Sequence, residues 1–156
     1  MYEIIKLVHL SAAIVWVGGM TFMLYALRPA AMAALDAMPR ARLMVAVMQR
    51  FFLMVAIAVL LLFTTGTNLY TTGFRSVKAA TGVGSVPLGW NAMLVLGLLM
   101  FAIFGHIYFS GFRKFRRAVA EDSWPAAATA AARIHTLVVL NFGLGWLAIA
   151  ALRLLR

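Results

Sequence analysis

The sequence predicts an all-α integral membrane protein: one domain of four transmembrane helices, a bundle with both termini outside. Three observations predict it. Hydrophobic residues make up 65% of the 156-residue chain and charged residues only 12%, against about 45–50% and roughly a quarter in soluble domains. Four apolar runs are each long enough to cross roughly 30 Å of hydrocarbon at ~1.5 Å per residue. The 14 Lys and Arg residues gather mainly between those runs.

The first run is Ile4–Leu27. Its leader "MYEIIK" mixes Glu3 with Lys6, and the run exceeds the ~7–15 residues of a signal-peptide core, so it reads as a retained helix. The first connection, Arg28 to Arg50, contains Pro39. Proline suits the first turn of a helix, so the second helix is expected to begin before the membrane does. The second run is Phe51–Thr71. The middle connection, "TTGFRSVKAATGVGSVPLG", is rich in Gly, Ser and Thr and reads as an irregular loop. The third run is Leu88–Phe112. In the third connection, Arg113 to Arg133, Ser123 is placed as an N-cap with Pro125 in the first turn. The fourth run, Ile134–Leu152, therefore continues a helix that starts outside the bilayer. No sequence repeat and no separate soluble domain is visible.

Net charge is +10. Without an aromatic-interleaved basic patch this does not indicate nucleic acid; it indicates topology. Nine basic residues (Arg28, Arg40, Arg42, Arg50, Arg113, Lys114, Arg116, Arg117, Arg133) lie in the first and third connections, and five (Lys6, Arg75, Lys78, Arg153, Arg156) lie on the other side. Positive residues stay inside. The expectation is a bacterial inner-membrane protein with both termini on the periplasmic side.

There is no cysteine, which removes disulfides and thiolate metal sites. The four acids, Glu3, Asp36, Glu121 and Asp122, all fall outside the runs. An acid–base enzyme or a proton-driven pump is therefore disfavoured.

Ionisable groups inside a membrane are costly and point to function. On the helical rise, His9 lies ~9 Å from the outer boundary, His106 ~24 Å and His135 ~27 Å. Met20 comes out at ~25 Å and Met54 at ~27 Å. One soft or imidazole donor from each helix is thus expected in one inner layer: Met20, Met54, His106 and His135. Thioether with imidazole suits Cu(I). Two imidazoles also suit the axial positions of haem iron. His9, Trp16, Met20 and Met23 share one helical stripe, as do Arg50, Met54, Leu61, Thr65 and Asn68. Both stripes are expected to face the interior. Each residue also has a plainer reading. Methionines fill apolar cores, His135 can be hydrated near the interface, and His9 can bond Thr65, Asn68 or Trp146 at its own level. Gly18-Gly19 reads as a packing notch, and Gly97, Gly105, Gly111, Gly143 and Gly145 permit close approach.

The stretch "HLSAAIVWVGGMTFMLYALRP" resembles the first helix of the CopD family, the membrane domain of bacterial copper-resistance proteins. His9, Trp16, Gly18 and Gly19 match its motif, as does the closing Arg-Pro. "QRFFLMVAIAVLLLFTTGTNLY" is similar to the family's second helix. The third and fourth runs match only in apolar character and basic connections. The resemblance implies a four-helix unit for copper uptake or tolerance. It also implies a need for a second copy or a partner, since many CopD proteins have more helices. A related HemJ-like group binds haem b and shares the early histidine.

Three readings follow. In the first, the chain handles copper, with His9 near the outer entrance, an inner site at Met20, Met54, His106 and His135, and a periplasmic copper-binding protein as partner. In the second it is a haem b cytochrome, with His106 and His135 as axial ligands, His9 as a further cofactor contact, and quinone as redox partner. In the third it is a scaffold with satisfied histidines. Only the second would be an enzyme, a membrane oxidoreductase.

Overall fold

Four continuous helices account for almost the whole computed structural model, which describes residues 1–84 and 86–155. They are α1 (Tyr2–Ala34), α2 (Ala37–Thr81), α3 (Leu88–Ala120) and α4 (Trp124–Leu154), of 33, 45, 33 and 31 residues. All four are long and apolar enough to span a membrane, and no strand occurs among the described residues. The expected all-α, four-span class is observed. The closest pairings are the two sequential antiparallel hairpins, α1 with α2 and α3 with α4.

The helices overrun the predicted spans. The first connection shrinks to a two-residue turn at Leu35–Asp36, both in extended backbone. The middle connection is not a loop for most of its length. Helix α2 continues to Thr81 and stops only at Gly82, whose φ of 73° places it in the left-handed region. That conformation, with the Gly82 N–H donating to the Lys78 carbonyl, is a helix stop that glycine adopts without strain. The Thr and Ser hydroxyls are accommodated within the helix by donating to carbonyls one turn back: Thr64 to Leu60, Thr67 to Phe63, Thr71 to Thr67, Ser76 to Thr72. A hydroxyl so bonded no longer competes with the ladder. Contacts from α3 hold the extension. Trp90 packs its ring on Gly73, where any Cβ would collide with it, and the Tyr70 hydroxyl donates to Asn91 Oδ1 at 2.7 Å.

Two helices contain a π-helical turn at the arginine-rich end, Met23–Leu27 in α1 and Ile107–Phe112 in α3. The first has an identifiable cause. Pro29 has no N–H for the Tyr25 carbonyl and its ring crowds that carbonyl. The ladder widens just before it, with the Arg28 N–H reaching back five residues to Met23. The second contains no proline.

The core is aromatic and thioether. Phe52 is 3% exposed and is surrounded by Phe51, Phe104, Tyr108 and Phe112 at ring-centroid distances of 5.1–6.1 Å. Trp16 stacks on Phe101 at 5.7 Å. Gly19 supplies the notch of the Gly18-Gly19 pair, because the Phe51 ring occupies the space of its absent Cβ; Gly18 is exposed and meets nothing. On α3 and α4, a Cβ at Gly111 would sit 3.2 Å from Ile134 and one at Gly145 would sit 3.3 Å from Met100. Those two contacts are eleven residues apart on each helix, so the antiparallel register holds along the pair. Gly97, Gly105 and Gly143 have open space where a Cβ would go.

The α2 stripe is a correction. Met54 is 51% exposed and Leu61 40%, and Arg50 and Asn68 are exposed as well; of the stripe only Thr65 is partly buried, against His9. The buried face of α2 is Met48, Phe51, Phe52, Val55 and Ala58. Large aromatic side chains fill the space between helices, and they, not the polar groups, set the rotation of α2.

Candidate functional site

At the arginine-rich end the four helices part around a cavity of about 250 Å³. Helix α1 contributes Met23, Leu24, Arg28 and Met32, and α2 contributes Arg40, Met44 and Met48. From α4 come Trp124, a run of alanines, His135 and Val138, while α3 adds Phe115. Four thioethers and one imidazole therefore border one space. Met23 and Met48 are buried, at 8% and 7% exposure; Met44 and His135 are partly buried and Met32 is 52% exposed. No Asp or Glu lines the cavity among the described residues. Nor do three His, Cys, Asp or Glu side chains come together anywhere among them.

Local sequence explains the donors. Met44 and Met48 are one turn apart on the part of α2 that precedes the predicted span, so they share a face. The Pro29-induced π turn lies within α1, with Met23 buried and Arg28 at the cavity wall. Small alanines on α4 leave the room. A site with thioether and imidazole donors and no carboxylate favours a soft ion over Mg²⁺, Ca²⁺ or Mn²⁺. Arg28 and Arg40 add discrimination by charge, since their repulsion of a divalent ion is about twice that of a monovalent one at equal distance.

The predicted residues separate. His135 lines the cavity. Met20 is 2% exposed and sits one turn further into the core than Met23. Met54 and His106 are exposed on the outside of the bundle and do not line the cavity. The single layer of four donors is therefore not assembled, and His106 and His135 do not face one centre as haem ligands would. Met44 and Met48 line the cavity where Met54 does not; their i, i+4 spacing is visible in the sequence, on a segment outside the predicted span.

His9 lies toward the opposite end. Its Nδ1 is 2.8 Å from Thr65 Oγ1, and its ring packs over Gly66. The Thr65 hydroxyl has one proton, and it donates that proton to the Leu61 carbonyl. His9 Nδ1–H is then the donor to Thr65, which leaves Nε2 as a free lone pair. His9→Ala is expected to cost about 1 kcal/mol of stability or less. Thermal unfolding in detergent alongside Thr65→Val checks this; a loss of several kcal/mol would mean that the bond organises the bundle. A second recess, of about 480 Å³ between Tyr2, Thr72 and Trp90, is lined by no thioether, imidazole or charged group among the described residues.

Comparison with known proteins bears on this geometry. No curated protein and no solved structure matches the chain. Residues 45–155 match the family model described as copper resistance protein D. The matched stretch runs from Val45 through α2, α3 and α4, so it takes in Met48 and His135 and leaves out α1, whose His9, Trp16 and glycines carry the resemblance in the sequence. With that stretch covering well over half of its length, the chain belongs to the CopD family of copper-resistance membrane proteins.

Proposed function

We propose that this chain binds Cu(I) in the cavity at its arginine-rich end and passes it across the bacterial inner membrane, in uptake or in tolerance. The observation that carries the reading is the set of donors around one space: Met23, Met44, Met48 and His135, with Met32 at the exposed rim. Thioethers and a neutral imidazole select a soft monovalent ion. The nine-to-five bias of basic residues supports a cytoplasmic opening for the cavity and outward termini. His9, with Nε2 free, then serves as a single-donor contact near the periplasmic face. The haem b alternative has no geometric support in the placement of His106 and His135.

The test is anaerobic titration of the purified chain with Cu(I) against a chromogenic chelator. Met23→Leu/Met48→Leu/His135→Ala is expected to lose the tightest equivalent. Leucine replaces methionine at nearly equal volume, so the core should survive. Retention of that equivalent at wild-type affinity in the folded variant would remove the cavity as the copper site.

A further inference from the structure

Asn141 is 2% exposed, the one buried polar residue among those described, and its Oδ1 has no hydrogen-bond partner in the chain. An unpartnered buried acceptor is destabilising, and such groups call for a specific explanation. Its position suggests one. On α4, His135 and Val138 line the cavity; continuing at the same helical spacing brings Asn141, then Gly145 and Ala148, all buried. On α1 the cavity residues Arg28, Leu24 and Met23 continue to Met20, Trp16 and Ala12, also buried, and then to His9.

The helices can be brought into register. A Cβ at Gly145 would lie 3.3 Å from Val17 and 3.3 Å from Met100. The two helices α1 and α4 are antiparallel, so one turn from Gly145 toward the cavity brings Asn141 level with Met20 and Thr21. Asn141 lies about 9 Å along α4 from His135, and Met100 is about 6 Å beyond it. Of two buried thioethers, Met20 at 2% exposure is thus level with the unpartnered amide and Met100 at 5% lies about one turn further toward His9. All three sit between the cavity and His9.

We propose that Met20, Met100 and Asn141 form a second, weaker station for Cu(I) in the middle of the bundle. This rests on the reading of the cavity as the first station. A conducting path needs sites strong enough to enter and weak enough to leave. Two thioethers with one amide oxygen, a poor donor to a soft ion, meet that requirement better than a third imidazole would. Asn141 Oδ1 contributes a neutral dipole toward a positive charge, which is the partner that it lacks within the chain.

The full chain in detergent, titrated anaerobically with Cu(I), should take up two equivalents, one tight and one weaker. Met20→Leu/Met100→Leu should remove the weaker one alone. Asn141→Leu should weaken it about tenfold or more, the scale of losing one supporting group at a metal site, while the melting temperature stays level or rises because a buried unpartnered oxygen has gone. A single equivalent in the wild type would overturn the proposal. So would a second equivalent that depends on His9 and not on Met20 and Met100, or an Asn141→Leu variant that loses melting temperature and keeps both equivalents. Failure of the cavity reading looks different: the tight equivalent would survive Met23→Leu/Met48→Leu/His135→Ala.

Discussion

Phe52→Ala is expected to destabilise the bundle by about 2–4 kcal/mol, somewhat below the roughly 3–5 kcal/mol of comparable truncations in water-soluble cores. The ring is 3% exposed and touches four other aromatic rings. It joins α2 to α3, and no other residue makes so many of those contacts. The reduction relative to soluble proteins has a physical source. In a bilayer the separated helices still keep the ring out of water, so the loss is packing and cavity energy, with little hydrophobic transfer. Leu60→Ala is the matched control. Leu60 is 66% exposed on the same helix and would face lipid before and after separation, so its truncation should change stability by well under 1 kcal/mol. Reversible unfolding in mixed micelles measures both. Equal effects would mean that the aromatic cluster does not hold α2 in place.

His135→Ala should weaken Cu(I) binding by at least the roughly 10–100-fold that loss of a mere supporting group costs at a metal site. His106→Ala should leave it within about twofold, since no bond to the metal is removed. The two residues lie on neighbouring helices, and the helical rise places them at nearly one depth, which is why the sequence pairs them. Depth is only one coordinate. His106 is exposed on the outer surface of α3, whereas His135 turns into the cavity. Chelator competition with each variant separates the cases. Equal losses in both would mean that the two rings share a centre after all, across copies of the chain or in a rearranged bundle.

The same contrast between position along a helix and direction around it runs through the rest of the chain. On α1 the stripe Trp16, Met20 and Met23 is buried as the 3.6-residue period predicts, with His9 partly buried at its outer end. On α2 the polar and soft stripe loses to Phe51, Phe52 and Val55. Periodicity finds that a helix has an inner face; when two faces are both apolar, volume and partner shape choose between them. The sequence puts Thr65, Asn68 and Trp146 at the level of His9, and of the three Thr65 is its partner. That bond is local in depth and needs only two adjacent antiparallel helices.

By itself the sequence determined the class and the four spans, which follow from length and apolar content. These act through the bilayer and do not depend on which helix touches which. The family was legible separately, in the residue pattern that the family model matches over 45–155. The sequence also determined where α4 starts, at Trp124 just after Ser123 and with Pro125 in the first turn, although the Ser123 hydroxyl makes no capping bond. Tertiary contacts hold the Thr- and Gly-rich segment after Thr71 helical to Thr81, because Trp90 and Asn91 from α3 dock on Gly73 and Tyr70. Only tertiary structure decided which soft donors meet. Met23, Met44, Met48 and His135 come from three helices, and they share a space because Pro29 widens α1 beside an alanine-lined α4. A convergence of that kind depends on rotation and side-chain volume across helices, neither of which a depth estimate along single helices contains.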